Sequence, residues 1–370
     1  MSFKSILLVF VELSVILQTV HTDNTNFNFN LINIYNITLP PQPPQTYNES
    51  TITTDRQFDS PTTSTPDWCA NYQLFDQRIG DITTNCSTNK HQHDNNFRQC
   101  GVRSIQGLSP RLTTLSETTK TFEFPWMIII KLDYMDGGTP IFLTAGSLIH
   151  PAIVMTVAHR IHGQHKEHLW VNGGIWDLEN DQQDGNFSKQ RSVQQIIIHN
   201  QFKPRTLIFD IGLLVLQEPF EIMANLRTVC LPPPGQNFDN EECTVMGWGR
   251  SAPEGDFQAQ LKKLDLPIVP SDECQNQLRQ IAGAMKYTLH DSFLCAGGVL
   301  GEDACDGDGG SPLVCQISKT TSSYYQVGIV AAGRGCGTQI PGIYVNVGYL
   351  RDWIDRQVIR VGLNTSYYIV

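Results

Sequence analysis

Three stretches of the chain carry side chains suited to acyl-transfer chemistry. His159 stands in TVAHR, directly after the apolar run PAIVM. Asp210 opens DIGLLVL, at the entrance of a strand-like run. The third stretch is DACDGDGGSPLVC at 303–315, a glycine-rich segment bounded by cysteines. Each has a plain reading on its own. A histidine after an apolar strand serves packing as readily as catalysis, an aspartate at a strand entrance is a common turn residue, and a glycine-rich run can be any tight loop. Read together they give a base, a carboxylate to orient it and a loop, in one of the chain orders used by nucleophilic triads. Such a triad needs an oxygen that the base can deprotonate. His162, His165 and His168 recur in IHGQHKEH; a metal cluster is conceivable, and a solvated loop is the preferred reading, so no metal is assigned.

These residues need a scaffold, and the pattern supplies one from Phe122 onward. Short β-rich runs follow one another: WMIIIKL, IFLTAGSLI, VQQIIIH, IGLLVL, CTVMGWG and YYQVGIV. Clusters of Gly, Pro, Asn and Asp separate them, as in an all-β barrel or sandwich. One helix closes the domain, with Leu350, Trp353, Ile354 and Val358 on one face of YLRDWIDRQVI. With 370 residues, 40% of them hydrophobic, the chain suffices for one large domain or two smaller ones.

The N-terminal third reads differently. Lys4 precedes an apolar run from Ile6 to Ile16 with a small-residue exit near Val20–Thr22, the pattern of a signal peptide over 1–22. The run is too short to span a bilayer, so secretion without a membrane anchor is expected. Residues 23–66 are rich in Asn, Thr, Pro and Gln and read as a low-complexity stalk. A cysteine-bearing module covers 67–100, a connector 101–121, and a tail 359–370. Ten cysteines suit an oxidising compartment. Asn36, Asn48, Asn186 and Asn364 are glycan acceptors by their N-x-S/T triplets; the triplet at Asn85 is weakened by Cys86 inside it. The net charge of −10 argues against nucleic acid as a partner.

Residues from about 122 to 358 resemble the chymotrypsin-fold, trypsin-like serine proteases. More narrowly, they look like the clip-domain serine protease homologues of arthropod body fluid. The phrases that carry the match are EFPWM, SLIHPAIVMTVAH, NGGIWDLE, DIGLLVL, CLPPPGQNFDNEECTVMGWGR, LKKLDLPIVPSDECQNQL, LHDSFLCAGG, EDACDGDGGSPLVC and PGIYVNVGYLRDWI.

The resemblance implies two antiparallel six-stranded β-barrels with a C-terminal helix and the site in the cleft between them. It makes His159 the general base and Asp210 its orienting carboxylate. The active family reads Gly-Asp-Ser-Gly-Gly-Pro at the nucleophile, and here the residues are Gly307-Asp308-Gly309-Gly310-Ser311-Pro312. Gly309 therefore occupies the nucleophile slot. Asp303, Gly333 and Gly342 match a trypsin-like specificity pocket, the amides of Gly307 and Gly309 an oxyanion hole, and Asp308 the partner of a freed N-terminus. Ala145 and Arg160 stand where active relatives have a loop disulfide, and Ala331 and Ala332 where they have a Ser and a Trp.

By the same resemblance Cys100–Cys230, Cys243–Cys315, Cys274–Cys295 and Cys305–Cys336 pair, which leaves Cys69–Cys86 inside a degenerate clip-like module. Cleavage is expected between Arg111 and Leu112. The function implied is a non-catalytic cofactor or adaptor in an extracellular, innate-immune type protease cascade, binding cascade proteases or their substrates and needing no cofactor of its own. The alternatives are a decoy or inhibitor, an adhesion protein, or a residual serine endopeptidase using Ser311.

Overall fold

A computed structural model describes residues 99–104, 119–133, 139–179, 188–250, 255–281, 285–300, 304–305, 307–333 and 337–370. The expected signal peptide, stalk and Cys69–Cys86 module lie outside these residues. So do Arg111, Leu112, Asp303, Cys336, Asn36, Asn48 and Asn186.

Twelve strands form two closed antiparallel barrels. The first is built from β1 (Met127–Leu132), β2 (Ile141–His150), β3 (Ile153–Thr156), β4 (Leu169–Gly173), β5 (Lys189–Ile198) and β6 (Gly212–Leu216). Its strand order is β1-β2-β3-β6-β5-β4. The second uses β7 (Glu242–Gly247), β8 (Lys262–Val269), β9 (Phe293–Ala296), β10 (Pro312–Gln316), β11 (Tyr324–Ala332) and β12 (Gly342–Asn346). It closes in the order β10-β11-β12-β9-β8-β7. The two-barrel architecture expected from the sequence is what forms.

Why β1 is apolar from Met127 to Ile130, without the alternation of a half-buried strand, follows from its two faces. Successive side chains point opposite ways. Ile128 and Ile130 enter the interior of the first barrel, while Met127 and Ile129 face a core shared with the second. β6 divides in the same way, with Leu214 and Leu216 inside and Leu213 in the shared core. The shared core joins Trp126, Ile149 and Met155 to Met246, Ile329 and Val345. Each such side chain contributes about 1.5–3 kcal/mol by leaving water.

Among the described residues three α-helices accompany the barrels: α1 (Ala158–Ile161), α2 (Ser271–Arg279) and α3 (Val347–Arg360). Asn346 caps α3 by accepting from the Tyr349 amide at 3.0 Å. Leu350, Trp353, Ile354 and Val358 are all buried, as their spacing indicated. The segment after α3, read from sequence as a tail, is packed down. Tyr368 is fully buried, its hydroxyl donates to Asp355 at 2.8 Å, and its carbonyl accepts from Leu231 N at 2.9 Å. Asn364 is exposed.

Disulfides join Cys100 to Cys230, Cys243 to Cys315 and Cys274 to Cys295. Cys305 is disulfide-bonded as well. The first of these ties the segment before the connector to the barrels.

Candidate active site

β3 ends at Thr156 and turns into α1, whose Ala158 and Ile161 are buried. That one-turn helix places His159 at the edge of the first barrel, with its side chain 21% exposed. Asp210 lies two residues before β6 and is fully buried. Its Oδ1 accepts the His159 backbone amide at 2.7 Å, and its Oδ2 lies 2.6 Å from His159 Nδ1. A carboxylate only accepts, so this contact puts the ring proton on Nδ1 and leaves a lone pair on Nε2. That is the tautomer of a general base.

The turn before Asp210 is held from outside its barrel. Phe209 adopts φ 59, a backbone region disfavoured for a bulky residue. Its amide donates to Ser292 Oγ at 3.2 Å, and its ring stacks on His199 with centroids 4.5 Å apart. Burial and nearby Arg356 push the His199 pKa below the ordinary histidine value.

The glycine-rich loop comes from the second barrel and is stitched to the first. The Gly309 carbonyl accepts from Thr144 Oγ1 at 2.6 Å and from Ala145 N at 3.2 Å. Thr156 Oγ1 in turn donates to the Ala145 carbonyl at 2.7 Å. Asp308 folds back, Oδ1 accepting from Gly249 N at 2.8 Å and Oδ2 from Cys305 N at 3.0 Å. Sequence reasoning passed over Thr144 and Thr156. The signal was a hydroxyl set within each of the apolar runs IFLTAGSLIH and IVMT, since a buried hydroxyl needs a partner.

The adjacent glycines of this loop serve different ends. Gly310 has φ +83, and a Cβ there would lie 2.2 Å from the Ala145 carbonyl and 2.6 Å from Thr156 Oγ1. Only glycine fits. A Cβ at Gly309 would meet nothing within 4 Å. Position 309 can thus hold a side chain, and the backbone does not require a glycine. Ser311, by contrast, is fully buried, and its Oγ has no hydrogen-bond partner among the described residues. The Gly307 backbone lies under the edge of Phe257, 2.6 Å from where a Cβ would stand.

The remaining expected site residues are placed as follows. Gly342 begins β12 opposite Ala296, and Gly333 follows β11. Ala331 and Ala332 end β11 half-buried. Arg160, where a loop disulfide was expected to be missing, makes its own link: Nε donates to the Leu143 carbonyl at 3.1 Å and Nη2 to the same oxygen. Leu143 is the residue skipped in the register between β1 and β2, where Ile130 pairs with Thr144 and Lys131 with Phe142. A bulge leaves such a carbonyl off the ladder, and the guanidinium takes it up. His165 and His168 contact each other with ring centroids 5.8 Å apart, while His162 packs on Phe202. Among the described residues no three ligating side chains converge.

A base–carboxylate pair at the rim of one barrel, faced by a glycine-rich loop of the other, defines a trypsin-like double-barrel site. The trypsin family model matches residues 116–354. The chain is 40% identical to phenoloxidase-activating factor 2 of Galleria mellonella over 73% of its own length and 92% of that protein. It is 36% identical to the inactive CLIP domain-containing serine protease A28 of Anopheles gambiae, over 73% of this chain and 70% of that one. To the inactive serine protease A8 of the same mosquito it is 32% identical, over 70% and 71%. The chain belongs to the trypsin family, among its clip-domain-type serine protease homologues.

Proposed function

We propose that the chain is a secreted pseudoprotease that acts as a non-catalytic cofactor in an extracellular immune protease cascade. Gly309 carries this reading. It takes the nucleophile position in a loop that keeps Gly307, Asp308, Gly310 and Pro312 and differs otherwise only at Ser311, and the His159–Asp210 pair is intact. Without a hydroxyl there is no acyl-enzyme. In a hydrolase with such a triad, removing the serine costs about 10⁶ in turnover. Ser311 does not replace it, because its Oγ is sealed from solvent. The names of the relatives, a phenoloxidase-activating factor and two inactive proteases, support the cofactor role.

Processing after Arg111 belongs to the same proposal, with Leu112 as the new terminus and Asp308 near its seat. Both flanks of the connector are tied down. Glu123 is buried between Arg103 and Lys263, Ser104 N donates to the Glu123 carbonyl, and Thr119 binds Leu261 and Trp176. With Cys100–Cys230 also in place, the two chains stay together after the cut.

The test is reconstitution. Arthropod body fluid depleted of its phenoloxidase-activating factor is supplemented with this chain, uncut or cut after Arg111, and phenoloxidase activity is followed. The cut form restores activity while taking up no organophosphate. Labelling of the chain, or no restoration by either form, overturns the reading.

A further inference from the structure

A second site lies away from the catalytic remnants, where β5, the 3-10 turn Lys166–His168 and the end of α3 meet. Two adjoining hollows of about 420 and 460 Å³ share Lys166, Gln194 and Gln195 in their walls. Neither His159 nor Asp210 lines them.

Consecutive strand residues ordinarily point to opposite faces, yet Gln194 and Gln195 line the same hollows. The register between β5 and β6 slips between Val193 and Gln195. Such a bulge re-aims side chains, and here it presents both amides outward together. Gln357 adds a third amide, and Ile197, Val215 and Leu363 form an apolar floor. Lys166 stands at the junction, Arg360 at one end and His165 at the other. The one acidic residue in the walls is Glu167, which lies 4.0 Å from Lys166 across an exposed contact worth little. On a chain of net charge −10 these walls hold two cations, Lys166 and Arg360, against one carboxylate.

The geometry points to a binding site for an acidic polysaccharide, a sugar chain bearing sulfate or carboxylate groups. The Arg360 guanidinium and the Lys166 ammonium make charge-assisted hydrogen bonds to such anions. Amide side chains both donate and accept, as sugar hydroxyls require, and the apolar floor suits the C–H face of a pyranose ring. An acidic peptide is the poorer occupant. β5 is paired on both sides within a closed barrel, so no strand edge is offered for a peptide backbone to join. The site is independent of the cofactor reading above.

Full-length protein is titrated calorimetrically with a sulfated heparin hexasaccharide, neutral maltohexaose and hexaglutamate. The sulfated sugar binds, and its affinity falls with added salt as exposed ion contacts are screened. The double variant Lys166→Gln/Arg360→Gln weakens it by about tenfold or more, the loss expected of two charge-assisted contacts. Gln195→Glu, which adds an opposing charge at an exposed position, weakens it likewise. The Lys166→Arg/Arg360→Lys swap retains binding, and thermal melts show that the variants fold. Unchanged affinity in both weakening variants, absence of sulfated-sugar binding by the wild type at low salt, or tighter binding of hexaglutamate would each overturn the assignment.

Discussion

The two barrels contribute unequally to the site. The first supplies His159 and Asp210, joined through both ring and backbone at 2.6 and 2.7 Å. The second supplies the loop of Gly309 and, at the end of β11, Ala331 and Ala332, none of which carries a hydroxyl or an aromatic ring. The difference lies in what else each residue holds up. Asp210 is a buried carboxylate that also takes a backbone amide, so its removal would strand a donor. Position 309 supports nothing through its side chain, because the space beyond its Cα is open. Atoms used only for reaction can vanish without harm to the fold, whereas atoms that also bind backbone persist.

The strongest test of that distinction uses the two adjacent glycines. Gly310→Ala forces an L-residue to φ +83 and drives its Cβ into the Ala145 carbonyl. Backbone strain and overpacking together are expected to cost about 3 kcal/mol or more, or about 6–12 °C in Tm for a domain of this size. Gly309→Ala is expected to stay within about 0.5 kcal/mol of the parent. Calorimetric melts of both variants decide it, and equal losses would break the comparison.

A second probe moves to the edge of the first barrel. His150 is buried, its Nδ1 accepts from Ala152 N at 3.0 Å, and burial lowers its pKa to about 3. The unfolded chain takes up a proton near pH 6.5 that the folded chain refuses. This group's contribution is therefore present above pH 6.5 and is lost as pH falls toward 3. Its slope approaches about 1.4 kcal/mol per pH unit inside that window. Melts from pH 6.5 to 4 should fall less steeply for His150→Gln than for the parent. Parallel curves would show that the imidazole is not held neutral.

Arg160→Ala should have a smaller effect. It removes the guanidinium from the Leu143 carbonyl at the bulge, and a lost charge-assisted bond there costs about 1–2 kcal/mol, or about 2–8 °C. No change in Tm would mean that this loop stands without the Arg160–Leu143 link.

Much of this was legible in the chain. The apolar runs named β1, β2, β5, β6, β7 and β11, and the 3–4 spacing of Leu350, Trp353, Ile354 and Val358 named α3. The order His159, Asp210, glycine-rich loop pointed to the His159–Asp210 pair that the fold brings together. What escaped depends on register or on long-range contact. That Arg160 reaches Leu143 follows from a bulge that no composition reveals. The stitching of Gly309 to Thr144 joins positions 165 residues apart. The packed segment around Tyr368 reads as tail because its partners, Thr228, Leu231 and Asp355, come from elsewhere in the fold.

The smallest expected effect on stability, and the sharpest test of the decayed half of the site, is Gly309→Ser. The open space at 309 admits the hydroxymethyl group, so the melt should match the parent within about 0.5 kcal/mol. His159 already holds the tautomer that can take the hydroxyl proton. Activity nevertheless needs the reacting groups in a near-attack arrangement, where a misplacement of about 1 Å costs about 10²-fold. Three supports are still missing in that variant. Ala331 and Ala332 lack the hydroxyl and the aromatic ring that the resemblance expects at these positions of an active enzyme, and Ser311 stands where it expects a glycine, its Oγ without a hydrogen-bond partner among the described residues. Gly309→Ser should therefore take up an organophosphate slowly and turn over Arg-ended substrates poorly. Adding Ser311→Gly, and then Ala331→Ser with Ala332→Trp, should raise turnover stepwise. If Gly309→Ser alone reaches within about tenfold of ordinary trypsin-like turnover, a gap of only about 1.4 kcal/mol in barrier, then the second barrel has lost the nucleophile and little else.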